Sequence, residues 1–167
     1  MFPNIEPLGR HHDRAAFSCG VEDLDDYLKT RAGQDERRNV ARVFVATGRL
    51  PSDIAGYYTI SSIGIDVGEL PDDKARVLPR YRDIPAALIG RLVVGADYQG
   101  RGLGKLLLVD ALKRIAEYSE GIGIYAVVVE AKNRSAAAFY EKYGFIRFVG
   151  SAHRLFLPIR TIRRSFE

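Results

Sequence analysis

The most constraining feature of the sequence is an apolar run that leads through a glycine-rich turn into a long amphipathic segment. Residues 86–94 are almost continuously apolar, which is typical of a buried strand. After the turn Gln99–Gly104, residues 102–119 place leucines on one side and charged residues on the other, which predicts a helix. Gly121 and Gly123 end it, and the apolar run 124–130 predicts another strand. The centre of the chain is therefore expected to form a β-α-β unit.

The segments on either side of this unit predict further strands and helices. The expected elements are a strand near 6–8, a helix from about 21 to 32, a hairpin of 43–46 with 54–61, a helix from Asn133 to Lys142, and a strand pair of 145–149 with 153–157. Asn133 is the expected N-cap of its helix, and Gly144 the residue after the C-cap. Residues 67–85 are polar and contain prolines, which predicts a long loop over a working surface. The fold class is α+β, a mixed α/β arrangement with a mostly antiparallel twisted sheet of six to seven strands and about four helices.

Length and composition set the class of protein. A chain of 167 residues suits a single domain over 1–167. No run approaches the roughly eighteen apolar residues of a membrane span, and the first residues lack the pattern of a secretory signal, so the cytoplasm is the expected location. Cys19 is the one cysteine and is expected to be a small buried residue; no metal site is expected. His11 and His12 are expected at the surface.

The chain carries a moderate excess of positive charge. There are 25 lysines and arginines against 21 acidic residues, which gives a net charge of +4. The arginines gather in two clusters, one at Arg31, Arg37, Arg38 and Arg42 and one at Arg154, Arg160, Arg163 and Arg164. Such clusters form solvated faces or contact polyanions, and composition alone leaves both open.

The turn Gln99-Gly100-Arg101-Gly102-Leu103-Gly104 has the chemistry of an anion site. Glycines let the backbone approach an anion closely, and the first turn of a helix offers unpaired N–H groups. Position 107 is leucine, so the turn is not a dinucleotide GxGxxG, and no Gly-Lys-Ser/Thr ending makes it a P-loop. By itself the turn predicts either a phosphate site or a tight strand-to-helix connection.

Two motifs together make the resemblance specific. Gln99-x-x-Gly102-x-Gly104 resembles the [Gln/Arg]-x-x-Gly-x-[Gly/Ala] signature of the GNAT acetyltransferase superfamily, and residues 136–145, AAAFYEKYGF, resemble its second motif. The resemblance covers roughly residues 84–148 and implies acetyl-CoA as the co-substrate. In that family the loop binds the coenzyme pyrophosphate through backbone N–H groups, and the fourth strand accepts the pantetheine arm like an added strand. The residues that the resemblance assigns to the coenzyme are Leu92, Val93, Val94, Gln99, Gly100, Arg101, Gly102, Leu103, Gly104, Lys105 and Asn133.

The resemblance also assigns a catalytic residue. From spacing alone Tyr140 is a core aromatic, but it falls where GNAT enzymes place a tyrosine beside the coenzyme sulfur. The resemblance therefore implies that Tyr140 is the general acid that protonates the departing thiolate. The apolar strand contains no carboxylate of the kind that many family members use as a base. This departure favours an amine that is largely unprotonated near neutral pH.

A narrower resemblance lies in the N-terminal half. The pattern Phe17-Ser18-Cys19-Gly20-x-x-x-Leu24-Asp25-x-Tyr27-Leu28, with GYYTIS at 56–61 and GRLVV at 90–94, resembles the GNAT toxins of bacterial toxin–antitoxin pairs. That resemblance implies acetylation of the α-amino group of an aminoacyl-tRNA, a homodimer, and a ribbon-helix-helix antitoxin. The candidate tRNA contacts are Arg37, Arg38, Arg42, Arg91, Arg163 and Arg164.

Two other functions stay open at this point. The same motifs suit an acetyltransferase for a small-molecule or protein amine. A non-enzymatic module that senses acetyl-CoA is also possible, although sensing needs no acid beside the sulfur. Arg91 has an alternative role as well, since a strand position can bury it against a carboxylate such as Glu130.

Overall fold

Seven strands form one sheet in the order β1-β2-β3-β4-β5-β7-β6 in the computed structural model, which describes residues 3–80 and 83–167. The strands are β1 (Ile5–Pro7), β2 (Arg42–Thr47), β3 (Ile54–Ile65), β4 (Ile84–Val94), β5 (Ala126–Glu130), β6 (Ile146–Arg147) and β7 (Arg154–Pro158). Strand β2 pairs antiparallel with β1 and β3, and β7 pairs antiparallel with β5 and β6. Strands β4 and β5 pair parallel, as the β-α-β unit predicts. The mostly antiparallel sheet and the mixed fold class are confirmed.

The helices agree with the prediction in the centre and differ towards both ends. They are α1 (Glu22–Asp26), a π-helical segment Tyr27–Arg31, α2 (Ala32–Arg37), α3 (Asp72–Ala75), α4 (Leu103–Tyr118), α5 (Arg134–Lys142) and α6 (Ile159–Ser165). The first helical run is continuous and ends at Arg37, five residues later than expected. The segment predicted as a long loop contains a 3-10 turn (Val67–Glu69) and the short α3. Helix α6 is a helix that the sequence interpretation did not contain.

The chain forms two compact units, each with a buried apolar cluster. The first unit spans Met1–Ser61 and Gly90–Ala111, and the second spans Ser62–Ile89 and Leu112–Glu167. In the first, Phe17, Tyr27, Leu28, Val45 and Tyr57 are among the clustered residues; in the second, Ile65, Leu70, Val128, Phe148 and Phe156 are. Removal of this apolar surface from water is the main term that stabilises each unit. The single domain over 1–167 stays a prediction.

The C-terminal helix α6 is held against the end of α4. Its Ile162 is buried, and the guanidinium of Arg163 donates to the carbonyl oxygen of Ser119 at 3.0 Å and to its Oγ at 2.8 Å. The last carbonyl groups of a helix lack partners inside the helix and carry its negative dipole end. Arg163 thus supplies hydrogen bonds and a positive charge where α4 ends.

Two predictions about polar side chains near the N-terminus have different outcomes. Cys19 is buried, as expected, and its Sγ lies 3.5 Å from the carbonyl oxygen of Val21. The prediction that both histidines lie at the surface is wrong for His12, which is 4% exposed. Its Nδ1 accepts the Gly9 N–H at 2.9 Å and its Nε2 lies 2.8 Å from Glu6 Oε1. Both ring nitrogens are satisfied by this local turn, which is why the ring tolerates burial.

None of the helices in the described ranges combines the length and the apolar composition that a membrane span requires.

Candidate active site

The glycine-rich turn is braced by the side chain of Gln99. A 3-10 turn, Ala96–Tyr98, leads out of β4 into the turn. The Gln99 amide nitrogen lies 3.2 Å from the carbonyl oxygen of Val94 and 3.2 Å from that of Cys19. The side chain therefore ties the turn to the end of β4 and to the N-terminal segment. The backbone of Gln99, and not its amide group, is what remains for a coenzyme.

The backbone of the turn presents a row of unpaired N–H groups. Gly100 and Gly102 have φ angles of +78° and +80°, which residues with a Cβ rarely adopt. The first hydrogen bond of the helical segment joins the Leu106 N–H to the Gly102 carbonyl oxygen. In residues 3–80 and 83–167 no acceptor is found for the backbone N–H groups of Gly100–Lys105. Six donors thus lie at the positive end of the 16-residue helix α4, an arrangement that binds phosphate groups.

The end of β4 lies beyond its parallel ladder with β5. The parallel ladder with β5 joins Ala86–Ile89 to Ala126–Val129. Leu92–Val94 follow three residues after the last β4 residue of that ladder, and Val93 is buried while its two neighbours are half-buried. A backbone segment that continues past its ladder is able to pair with an extended ligand.

Tyr140 has a buried ring and an available hydroxyl. The side chain is 8% exposed, and its ring contacts Phe139 and Phe145 with centroid distances of 5.3 and 5.4 Å. The hydroxyl has no hydrogen-bond partner among the described residues, yet no fully buried side-chain oxygen there is unsatisfied, so this oxygen keeps access to solvent. Burial raises the pKa of Tyr140 to about 12, so the phenol keeps its proton at neutral pH.

A family model of known proteins matches the region that contains these features. The model describes the acetyltransferase (GNAT) domain, and residues 39–147 match it. The chain belongs to the GNAT acetyltransferase family. The sequence resemblance to that family is therefore confirmed.

The chain is also similar to individual GNAT proteins over almost its whole length. It is 38% identical over 167 residues to the probable toxin TacT of Sinorhizobium fredii (strain NBRC 101917 / NGR234), an alignment that covers 95% of this chain and 92% of that one. The structure of AtaT complexed with acetyl-methionyl-tRNAfMet is 31% identical, with a TM-score of 0.91 and coverage of 98% of this chain and 99% of that one. The structure of AtaTR bound with AcCoA is 30% identical, with a TM-score of 0.86 and 99% coverage of both chains.

The second GNAT motif forms helix α5 as the sequence predicts. The Asn133 side chain accepts the Ala136 N–H at 2.9 Å, which confirms it as the N-cap. Tyr143 is the C-cap and packs edge-on against Phe139, and Gly144 follows with a φ of +93°. Asn133 and Tyr140 belong to the second compact unit, whereas the glycine turn and Leu92–Val94 belong to the first.

The six arginines predicted to contact tRNA divide into those that contact other side chains or rings and those without a partner among the described residues. Arg42 donates to Glu36 and Asn39, and Arg163 donates to Ser119 as described above. The Arg91 guanidinium lies over the ring of Tyr27, 3.5 Å from its centroid. A cation over an aromatic face is a stabilising contact, so Arg91 is placed by an aromatic ring.

The remaining three candidates, Arg37, Arg38 and Arg164, are exposed. For these three the described part of the chain contains no ion-pair or hydrogen-bond partner. Their charges are available to an anion in solution.

A polar cavity of about 460 Å³ is lined in part by Arg49, a basic residue that the sequence did not single out. Its lining includes Ser18, Arg49, Asp97, Tyr98 and Arg101. Arg49 lies in the turn between β2 and β3, where no periodic pattern marks a residue as functional. Only the folded chain shows that Arg49 lines the same cavity as Arg101 of the glycine-rich turn.

Three further side chains converge near the N-terminus. Potential ligand atoms of Glu6, His11 and His12 lie within 4.8 Å of one another. The His12 Nδ1 accepts a backbone N–H, so its Nε2 carries the ring proton and donates to Glu6. This hydrogen bond, followed by the opposing effect of burial and by the bond to His11, leaves the pKa of Glu6 below its ordinary value. A metal at Nε2 would displace that proton, so the local hydrogen bonds do not favour a metal ligand set.

Proposed function

We propose that this GNAT enzyme transfers the acetyl group of acetyl-CoA to the α-amino group of an aminoacyl-tRNA and so blocks translation as a toxin. The observation that carries the acetyl-CoA part is the row of unpaired N–H groups from Gly100 to Lys105. The similarity over the full chain to AtaT in complex with acetyl-methionyl-tRNAfMet supports the acceptor. That acceptor accounts for the exposed arginines better than a small amine does.

The chain's backbone does most of the coenzyme binding in this proposal. The N–H groups of Gly100–Lys105 hold the pyrophosphate, and the positive end of the α4 dipole favours the same charge. The backbone of Leu92–Val94 pairs with the amide groups of the pantetheine arm. Both contacts use main-chain atoms, so the identity of exposed side chains such as Lys105 matters less than the backbone geometry.

Tyr140 supplies the proton in the reaction. The amine nitrogen attacks the thioester carbonyl, the carbon–sulfur bond breaks, and the sulfur leaves with the electron pair. The Tyr140 hydroxyl donates a hydrogen bond and then its proton to that sulfur. The nitrogen, which is positively charged after the attack, loses its extra proton to water, and the tyrosinate regains a proton from water, so the products are the amide and the free thiol. Its raised pKa keeps this proton in place until negative charge develops on the acceptor atom.

The acceptor explains the missing base. Strand β4, from Ile84 to Val94, carries no aspartate or glutamate. The α-amine of an aminoacyl ester is less basic than a free amine, so a larger fraction of it is unprotonated near neutral pH. Direct attack by that fraction needs no carboxylate on β4 to remove a proton first.

Three further parts of the proposal concern partners and coenzyme contacts. The similarity to toxins of toxin–antitoxin pairs supports a ribbon-helix-helix antitoxin and a homodimer as partners of this chain. The tRNA would contact the exposed Arg37, Arg38 and Arg164, whereas the present contacts of Arg42 and Arg163 leave those two a mainly structural role. Asn133 caps α5, and a contact with the coenzyme would be additional to that role.

The decisive experiment compares three purified proteins on charged tRNA and acetyl-CoA: wild type, Tyr140→Phe and Tyr143→Phe. We expect Tyr140→Phe to lose at least about 10²-fold in turnover with nearly unchanged acetyl-CoA affinity, since it removes only the acid. Tyr143→Phe, the matched control three residues further along the chain, should retain turnover because the Tyr143 ring packs against Phe139. When the same proteins are expressed in cells, wild type and Tyr143→Phe should arrest growth and Tyr140→Phe should not.

Two outcomes would contradict the proposal at different levels. Turnover of Tyr140→Phe within about threefold of wild type would mean that another group protonates the thiolate. If free amino acids or polyamines are acetylated as efficiently as charged tRNA, the protein is still an acetyltransferase, but the assignment as a tRNA-acetylating toxin is wrong. A purified protein that binds acetyl-CoA without turnover on any amine would indicate the regulatory module.

A further inference from the structure

Two arginine guanidinium groups converge above a glycine of helix α2. A Cβ atom built on Gly33 would lie 2.8 Å from Arg14 Nη1 and 3.3 Å from Arg37 Nη1. Both nitrogens therefore lie close to one point, and the two Nη1 atoms are at most about 6 Å apart. Arg14 is half-buried and Arg37 is exposed at the last turn of α2.

No acidic side chain in the described part of the chain pairs with either of these arginines. Throughout residues 3–80 and 83–167, neither guanidinium has an ion-pair or hydrogen-bond partner. The nearest acids in sequence serve other groups: Asp35 accepts from the Tyr27 hydroxyl, Glu36 accepts from the Val43 N–H, and Asp13 accepts from the Ala16 N–H. Two like charges at this distance repel each other, and an anion between them would relieve the repulsion.

The glycine itself points to the same conclusion. Gly33 lies within α2, where glycine is less favourable than alanine. The space above it is filled by the Arg14 guanidinium, which a Cβ would displace. Gly33 therefore weakens its helix and at the same time permits the two guanidinium groups to meet.

We propose that Arg14 and Arg37, brought together over Gly33, form a clamp for one phosphate group of the tRNA backbone. Guanidinium groups bind phosphate oxygens through paired N–H donors, and two of them can hold one phosphate from two sides. Arg38 is adjacent in sequence but is not part of the pair, and Arg42 is engaged by Glu36. The clamp rests on the proposed function for the identity of its ligand, and it adds Arg14 to the tRNA contacts.

The test measures the dissociation constant for charged tRNA at several salt concentrations, using Arg14→Gln, Arg37→Gln, the double variant, and, as the matched control, Arg160→Gln at an exposed arginine outside the proposed tRNA contacts. Each clamp variant should lose about tenfold in affinity, and the double variant should lose little more than either single one. The slope of log affinity against log salt should fall by about 0.7 to 0.9, the value of one phosphate contact. Arg160→Gln changes the net charge equally and should keep the wild-type slope.

Gly33→Ala provides a second variant in which every charge is retained. The added methyl group should raise the melting temperature by favouring α2, and it should weaken tRNA binding by moving the Arg14 guanidinium. Reduced affinity together with an equal or higher melting temperature supports the clamp. Wild-type affinity in Gly33→Ala would count against it.

The possible failures are distinguishable. If wild type acetylates charged tRNA but the Arg14 and Arg37 variants bind it no worse than Arg160→Gln, the clamp is wrong and the proposed function stands. If these variants lose affinity for acetyl-CoA in calorimetry and not for tRNA, the pair holds a coenzyme phosphate, and the RNA assignment is overturned. If wild type neither binds nor acetylates charged tRNA, both proposals are wrong.

Discussion

At the scale of single residues, the ionisation of buried phenols links stability to pH. Burial is the main cause that raises the pKa of Tyr140 to about 12, and burial with a hydrogen bond to Asp35 does the same for Tyr27. A tyrosine whose folded pKa exceeds its ordinary value of 10.0 stabilises the fold fully below that value. That stabilisation is lost as the pH rises from about 10 towards 12, because the unfolded chain ionises first.

We therefore expect the melting temperature to fall between about pH 10 and pH 12, and to fall less in Tyr140→Phe than in wild type. Thermal unfolding followed by circular dichroism across this range measures the difference. Tyr118→Phe is the control, because that residue is 45% exposed. Parallel curves for wild type and Tyr140→Phe would show that the Tyr140 hydroxyl ionises as freely in the folded state as in the unfolded state.

Gly102 gives the second prediction at this scale. Its φ of +80° is a conformation that a β-branched residue avoids, although a Cβ there would meet no atom within 4 Å. The obstacle to substitution is thus backbone conformation and not lack of space. Gly102→Val should change the path of the turn, misalign its N–H groups and weaken acetyl-CoA binding by at least about tenfold.

Isothermal titration calorimetry with acetyl-CoA tests this expectation. Gly123→Val is the matched control, since a Cβ at that position also has open space and its backbone is not left-handed. Wild-type affinity in a folded Gly102→Val protein would remove the turn from the coenzyme site.

At the scale of elements, the junction of α4 and α6 makes a prediction about Arg163. Replacement by glutamine removes two donors and a positive charge from the C-terminal end of α4. We expect a loss of unfolding free energy on the order of 1 kcal/mol, since the arginine is exposed and solvent screens part of the effect.

Urea unfolding of Arg163→Gln and Arg164→Gln measures this effect, because Arg164 has the same charge on the same helix and no partner in the described residues. Arg163→Gln should leave tRNA affinity nearly unchanged. A stable Arg163→Gln protein with weakened tRNA binding would show that the phosphate contact expected from the sequence outweighs the helix cap.

The elements that the sequence missed share a physical cause. Helix α6 has only seven residues, and it depends on the burial of Ile162 and on the bond from Arg163 to Ser119. Helices this short are not stable alone, so no local pattern announces them. The first helical run continues past Ala32 into a polar stretch with Gly33, where the apolar spacing that signals a helix has ended.

The elements that the sequence did predict are those with strong local signals. The apolar run of β4, the glycine turn and the periodic leucines of α4 each specify their structure within a few residues. Asn133 was found as a cap because the capping bond lies within its own turn. The burial of His12, the brace from Gln99 and the convergence of Arg14 with Arg37 depend on contacts between distant positions. No spacing rule encodes them.

At the scale of the whole molecule, the modest net charge of +4 understates the local basic character. Arg14, Arg37 and Arg38 lie in the first compact unit with the glycine turn, and none of them has a carboxylate partner in the described ranges. Charges without partners attract a polyanion from a distance, and added salt weakens this attraction.

Acetylation of charged tRNA should therefore fall steeply with salt, with a logarithmic slope of about 0.7 to 0.9 for each phosphate contact. Reversal of Arg37 and Arg38 to glutamate should raise the apparent KM for charged tRNA while acetyl-CoA affinity and the melting temperature stay the same. Steady-state assays from low to physiological salt measure both effects. An activity that ignores salt and the reversed charges would favour a small-amine acceptor.

The brace at Gln99 also explains which residues can begin the family's signature motif. Two carbonyl oxygens, of Val94 and Cys19, face this side chain, so the position requires a side chain with several N–H donors. Glutamine and arginine both meet that requirement although they differ in charge, and the signature alternates between these two. A glutamate carboxylate would place further acceptor oxygens against these two carbonyl oxygens. Lysine lacks a planar group with several N–H donors that reaches both carbonyl oxygens. The first residue of the motif thus satisfies carbonyl groups of the protein's own main chain, whereas the glycines that follow leave backbone N–H groups for the phosphate.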